Sequence, residues 1–156
     1  MIGVWTRTLL GDLILALIVV ALMACSVFAQ NGDNGTESLY GFLEGRYEVI
    51  GRRLESNATY TGTAVLKATK SGLEVLRTIN GGTVEGTARI EAVTHDNIRV
   101  LRMRFAEAEL PYEATFVIGS DLDNYARLTG YIYLQPGKTQ RPGLEAWFID
   151  RSAGTD

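Results

Sequence analysis

Thr59-Tyr60-Thr61-Gly62-Thr63-Ala64-Val65-Leu66-Lys67-Ala68 and Thr83-Val84-Glu85-Gly86-Thr87-Ala88-Arg89-Ile90-Glu91-Ala92 decide the fold of this chain. In the first run Tyr60, Gly62, Ala64, Leu66 and Ala68 alternate with Thr59, Thr61, Thr63, Val65 and Lys67. In the second, Val84, Gly86, Ala88, Ile90 and Ala92 alternate with Thr83, Glu85, Thr87, Arg89 and Glu91. A period of two with threonines and charges on one side is the pattern of half-buried strands. Gly-Thr-Ala recurs at 62–64 and 86–88, each time with Gly on the apolar face. Glycine inside a strand marks a bend or a crowded interior, which suits a small curled sheet. Between the runs, Lys70-Ser71-Gly72 makes a turn, Leu73 to Ile79 a strand, and Asn80-Gly81-Gly82 a second turn. Asn-Gly between apolar alternations is a strong hairpin signal, because both central residues tolerate positive φ.

The same grammar extends in both directions. Upstream, Arg46 to Ile50 reads as a strand with Tyr47 and Val49 on one side. Downstream, His95-Asp96-Asn97 turns the chain into a strand from Ile98 to about Phe105, which Pro111 closes. Tyr112, Ala114, Phe116 and Ile118 line the next strand, and Ser120 to Asn124 turns into Ala126–Leu134, with Leu128, Gly130, Ile132 and Leu134 on one face. A loop from Gln135 to Gly143 leads to a last strand, Leu144–Ile149. Eight short strands in meander order fit a closed barrel or a two-layer sandwich. The inward glycines and the removal of exposed edges favour closure. The expected fold is therefore all-β, an antiparallel up-and-down barrel of about eight strands.

Outside the strands, Met1 to Ala29 reads as an export signal. Arg7 supplies a weak positive start, Leu13–Ala24 is apolar but short for a membrane span, and Val27-Phe28-Ala29 fits a cleavage site. A rival reading takes Leu22-Met23-Ala24-Cys25 as a lipobox with Cys25 lipidated, and a third leaves the segment uncleaved as an anchor. All three place the domain outside the cytoplasm, secreted or periplasmic, with membrane contact only through this segment. Residues 30–38 read as a polar tether, 39–151 as the barrel domain and 152–156 as a tail. Leu39, Tyr40, Phe42 and Leu43 form an apolar knot, one helical turn plugging an end of the sheet.

Composition narrows function further. With 15 basic and 18 acidic residues the net charge is −3, which argues against nucleic acid, whose phosphates need clustered Lys and Arg. Cys25 is the sole cysteine, so a mature chain lacking it has no disulfide and stands on its core. With His95 the sole histidine, neither His-clustered metal sites nor Cys-His nucleophile pairs are expected in the domain, and no cofactor is.

Glu44-Gly45-Arg46-Tyr47, Tyr60-Thr61-Gly62, Leu128-Thr129-Gly130-Tyr131 and Gly143-Leu144-Glu145-Ala146-Trp147 resemble the recurring positions of small secreted calycin-like barrels, related in shape to lipocalins and avidins. The likeness covers about Gly45 to Ile149. It implies the barrel but no particular ligand, and Tyr47 stands where lipocalins carry the Trp of a Gly-x-Trp motif.

Candidate site residues are few. Asp121-Leu122-Asp123-Asn124 offers alternate carboxylates, but without the glycine and glutamate of a calcium loop it reads as an Asx turn. Arg99, Arg102 and Arg104 face Glu107, Glu109 and Glu113 around Pro111, a cross-strand ion-pair pattern. Arg77 shares a face with Leu73, Val75 and Ile79, where a barrel interior would hold it as a ligand anchor. Tyr47 and Tyr60 read as core residues with hydroxyls at a rim. The last two strands are apolar on both faces. With the aliphatic sets inward, Tyr131, Tyr133, Trp147 and Ile149 form an outer aromatic patch suited to self-association or a protein partner. No nucleophile–base set or phosphate loop stands out, so the chain reads as a non-enzyme. Two functions remain: a binding module for a small apolar or amphipathic ligand, or a filled barrel acting as an interaction module, such as an envelope inhibitor or assembly subunit. The lumen decides between them.

Overall fold

The structure is a computed structural model that describes residues 34–119, 126–135, 137 and 139–152. The export segment with Cys25, and the turn at Asp121–Asn124, lie outside the described residues.

A helix, α1, covers Asn34–Leu43, followed by eight strands: β1 Gly45–Arg52, β2 Thr59–Thr69, β3 Gly72–Ile79, β4 Gly82–Val93, β5 Ile98–Glu107, β6 Leu110–Ile118, β7 Leu128–Leu134 and β8 Gly143–Ile149. Each strand pairs antiparallel with the next, and β1 pairs with β8 to close an up-and-down barrel. The alternation in β2, β3 and β4 puts Tyr60, Ala64, Leu66, Leu73, Val75 and Ala88 inside, as their pattern requires. Asn80 and Gly81 both take positive φ, 52° and 81°, in the two-residue turn joining β3 to β4. Gly62 and Gly86 sit hard against the backbone of a neighbouring strand. A Cβ on Gly62 would lie 2.3 Å from the carbonyl oxygen of Thr78, and one on Gly86 would lie 2.6 Å from that of Arg104.

Three local expectations change. The helix begins at Asn34, so residues 34–38 are helical where a tether was expected. Glu37 in its first turn supports it, a negative charge at the positive end of the helix dipole. Second, β5 continues to Glu107, and Ala108 and Glu109 make its turn at φ 50° and 64°; Pro111 lies inside β6, opposite Ala106. Third, β8 has the opposite phase from the one expected. Gly143, Glu145 and Trp147 are buried, while Leu144 faces outward. Trp147 is therefore core, removed from the outer aromatic patch, and packs against Tyr47 and Phe116 at centroid distances of 5.8 and 5.1 Å. Tyr131 and Tyr133 do lie on the outer face.

One end of the barrel is plugged. Leu43 is fully buried, and its carbonyl accepts the Tyr47 hydroxyl at 2.6 Å. The Tyr40 hydroxyl accepts the Ile90 amide at 3.2 Å, and Arg127 Nη1 donates to the Phe42 carbonyl at 2.8 Å. The middle is filled by Tyr47, Phe116, Leu101, Met103, Leu128 and Trp147. The other end, where the β1–β2, β3–β4, β5–β6 and β7–β8 connections gather, stays partly open.

Candidate ligand-binding mouth

Strand register builds the floor of this opening. Gly51 on β1 lies between Tyr60 on β2 and Glu145 on β8 in one row across the sheet. A Cβ at Gly51 would sit 2.3 Å from Tyr60 Cζ, so the missing side chain is the space through which the Tyr60 ring reaches across. Its hydroxyl donates to Glu145 Oε1 at 2.5 Å. Arg77 enters from β3, donating Nε to the same oxygen at 3.1 Å and Nη2 to it and to the Tyr60 hydroxyl. Glu145 Oε2 accepts Trp147 Nε1 at 2.8 Å. A carboxylate with no solvent exposure thus accepts four donors, which makes its burial tolerable.

The electrostatics follow from this closure. Burial lowers the affinity of Arg77 for its proton, but Glu145 beside it more than compensates and holds the guanidinium charged. Burial, and after it the Glu145 charge, push the Tyr60 phenol well above the ordinary tyrosine range, so it remains a neutral donor.

Above this floor opens a cavity of about 200 Å³. Phe105 and Tyr112, directly opposite on β5 and β6, form one wall as stacked rings 5.3 Å apart and 8° from parallel. Arg53, after β1, stands 5.6 Å from the Tyr60 ring centroid at the rim; Arg77 lies 5.6 Å from that centroid and 5.4 Å from that of Phe105. Ile79 and Ile132 supply aliphatic lining, and Asn80 and Glu107 line the polar side. A broader hollow of about 680 Å³ lies on the outside of β2–β4 among Val65, Lys67, Glu74, Leu76, Glu85 and Thr87. These are mostly outward-pointing side chains on a curved sheet, with no convergent buried polar group.

Of the residues singled out in the sequence, Arg77 is at the floor and 5% exposed, and Trp147 lies beneath it as a donor to Glu145. Tyr131 and Tyr133 are elsewhere, on the outer face of β7. Tyr133 joins an ion network in which Glu113 binds Arg102 at 2.5 Å and Arg104 at 2.9 Å, and Glu91 binds Arg104 at 2.9 Å. Of the expected set, Arg102, Arg104 and Glu113 therefore pair across strands, with Glu91 as the partner the sequence pattern missed, whereas Arg99, Glu107 and Glu109 form no ion pair among the described residues. These Arg102 and Arg104 contacts outweigh the desolvation of Glu113 and hold its carboxyl below the usual range. Sequence reasoning also missed Glu145, Arg53 and Phe105 as members of the mouth. The signal for Glu145 was present: on β8 it shares a face with Gly143, Trp147 and Ile149, as Arg77 shares one with aliphatics.

No protein-family model matches the chain, and a search of curated proteins finds no match.

Proposed function

We propose that this chain is a non-catalytic binding barrel of the calycin-like kind, exported from the cytoplasm, that takes a compact apolar or amphipathic ligand in the mouth. The observation that carries this reading is the asymmetry of the lumen: Tyr40–Leu43 plug one end, and an aromatic-walled cavity of about 200 Å³ opens at the other. An apolar cavity of about 150 Å³ accommodates benzene, and drug-sized ligands take about 300–1,000 Å³. The volume fits one ring with a small substituent, not a long acyl chain. Support for a non-catalytic role comes from the floor itself. Glu145 has its oxygens taken by four donors, and Tyr60 is held protonated, the reverse of what a general base needs.

Benzamide titrated into the full chain and followed by NMR tests this. Ring signals of Phe105 and Tyr112 should shift while those of Tyr131 stay, and Ile79→Trp, which fills the mouth, should abolish the shifts. Shifts centred on Tyr131, or none up to the solubility limit, would refute the reading.

A second reading, the interaction module, is favoured by one feature. Ile50, Leu144, Tyr131 and Val117 are 53, 41, 56 and 59% exposed on the adjoining strands β1, β8, β7 and β6, respectively. Leu144 lies directly opposite Tyr131, and Ile50 and Val117 end one row through Ala146 and Thr129. Tyr131→Ser, measured by sedimentation, separates an interface from a merely apolar surface.

A further inference from the structure

Resting on the mouth as the binding site, we infer that its ligand class is a small flat carboxylate, a one-ring aromatic or heteroaromatic acid held by Arg77 and Arg53 against the Phe105–Tyr112 wall. The argument starts from which hydrogen-bonding valences are already spent. Glu145, the acidic group of the floor, is saturated by Tyr60, Arg77 and Trp147 and offers nothing to a cation. Arg77 spends Nε and Nη2 on Glu145 and Tyr60, whereas Nη1 has no hydrogen-bond partner among the described residues, and Arg77 lines the cavity. The free valence at the floor is thus a charged donor.

Its geometry answers the objection that Glu145 would repel an incoming anion. The Nε–Nη2 edge of the planar guanidinium faces Glu145, and Nη1 lies on the far side, so the cation stands between the two carboxylates. Arginine presents donors in a planar fork matched to carboxylates. Arg53 adds a second guanidinium beside the same Tyr60 ring. The opposing charge, Glu107, is exposed at the end of β5, where solvent screens it. The aromatic wall favours a flat body: Phe105 and Tyr112 stack on each other and line the cavity, and a ligand ring can pack against them offset or edge-on. Volume then limits that body to one ring. Wall, floor and size together describe a benzoate-like anion.

The test compares benzoate, benzamide and benzylamine on the full chain by NMR titration at neutral pH. Benzoate should bind at least about tenfold more tightly than benzamide, a ratio expected for one added charge-assisted pair. Benzylamine should be weakest. Arg53→Gln, at an exposed rim position, should cut the benzoate preference severalfold, and Arg77→Lys should remove most of it. Should Arg77→Lys fail to fold, the three probes on the wild type and Arg53→Gln decide alone. Equal binding of benzoate and benzamide at Phe105 and Tyr112 would overturn the charge inference while leaving the mouth as a binding site. Preference for benzylamine would overturn it in favour of Glu107. Absence of binding by all three would overturn both.

Discussion

Removing the Glu145 carboxylate is the most incisive perturbation of this barrel. In Glu145→Leu the Arg77 guanidinium, 7% exposed in its side chain, loses its counter-ion. Breaking a buried pair from one side costs about 3–5 kcal/mol. The Trp147 indole N–H, in a fully buried residue, loses its acceptor as well, at about 1–3 kcal/mol. The Tyr60 hydroxyl faces the mouth and can turn to water. The sum, about 4–8 kcal/mol, is comparable to the whole stability of a small domain, about 5–15 kcal/mol. Glu145→Leu should therefore fold marginally, whereas Arg77→Met/Glu145→Leu, which removes both charges, should keep only the Trp147 penalty of about 1–3 kcal/mol. Urea unfolding of wild type, both single variants and the double variant closes the cycle. The expected coupling is about 3 kcal/mol or more. Single variants costing under about 1 kcal/mol each and adding independently would show that the pair does not support the core, and the reasoning would fail.

Stability should fall at alkaline pH through Tyr60. Its folded value is raised, so its contribution is complete below the unfolded tyrosine range near 10 and declines above it, by about 1.4 kcal/mol per pH unit; Tyr60→Phe should flatten that slope in pH-dependent melts. The Ala108–Glu109 turn uses positive φ at two residues unsuited to it, so Ala108→Asn/Glu109→Gly should raise stability by about 1–2 kcal/mol in denaturant titration. Gly86→Ala should cost about 1–3 kcal/mol, because the added carbon meets a neighbouring backbone carbonyl that cannot swing away; an unchanged thermal midpoint would mean that the sheet is less tightly curled there.

Most of the barrel was legible because most strands have one wet and one dry face, and a period of two is then written into the residues. The inward rows of β2, β3, β4, β6 and β7 were readable for that reason, as was the turn at Asn80-Gly81. The failures share a physical cause. Turn chemistry at Ala108-Glu109 carries no glycine or asparagine, so the boundary moved to the nearest proline. The start of α1 is Asn-Gly-Thr, polar enough to pass for linker. β8 reads Gly-Leu-Glu-Ala-Trp-Phe-Ile, apolar on both faces, so a period of two does not choose its phase, and turning the aliphatic set inward put Glu145 and Trp147 on the wrong side.

That last error shows what local patterns cannot carry. The partner that makes Glu145 acceptable inside is Arg77, 68 residues away in sequence, on a strand that does not pair with β8. Only closure of the barrel brings the two across the lumen. A charge on an otherwise apolar strand face is better read as a demand for a complementary charge on another such face, and here Arg77 on β3 and Glu145 on β8 meet that demand. The consequence reaches function. Tyr60, Arg77 and Glu145 both seal the filled half of the lumen and form the floor of its open half. Changes at this floor therefore disturb stability and recognition together, whereas Arg53, at the rim, is where recognition can be altered with the core left intact.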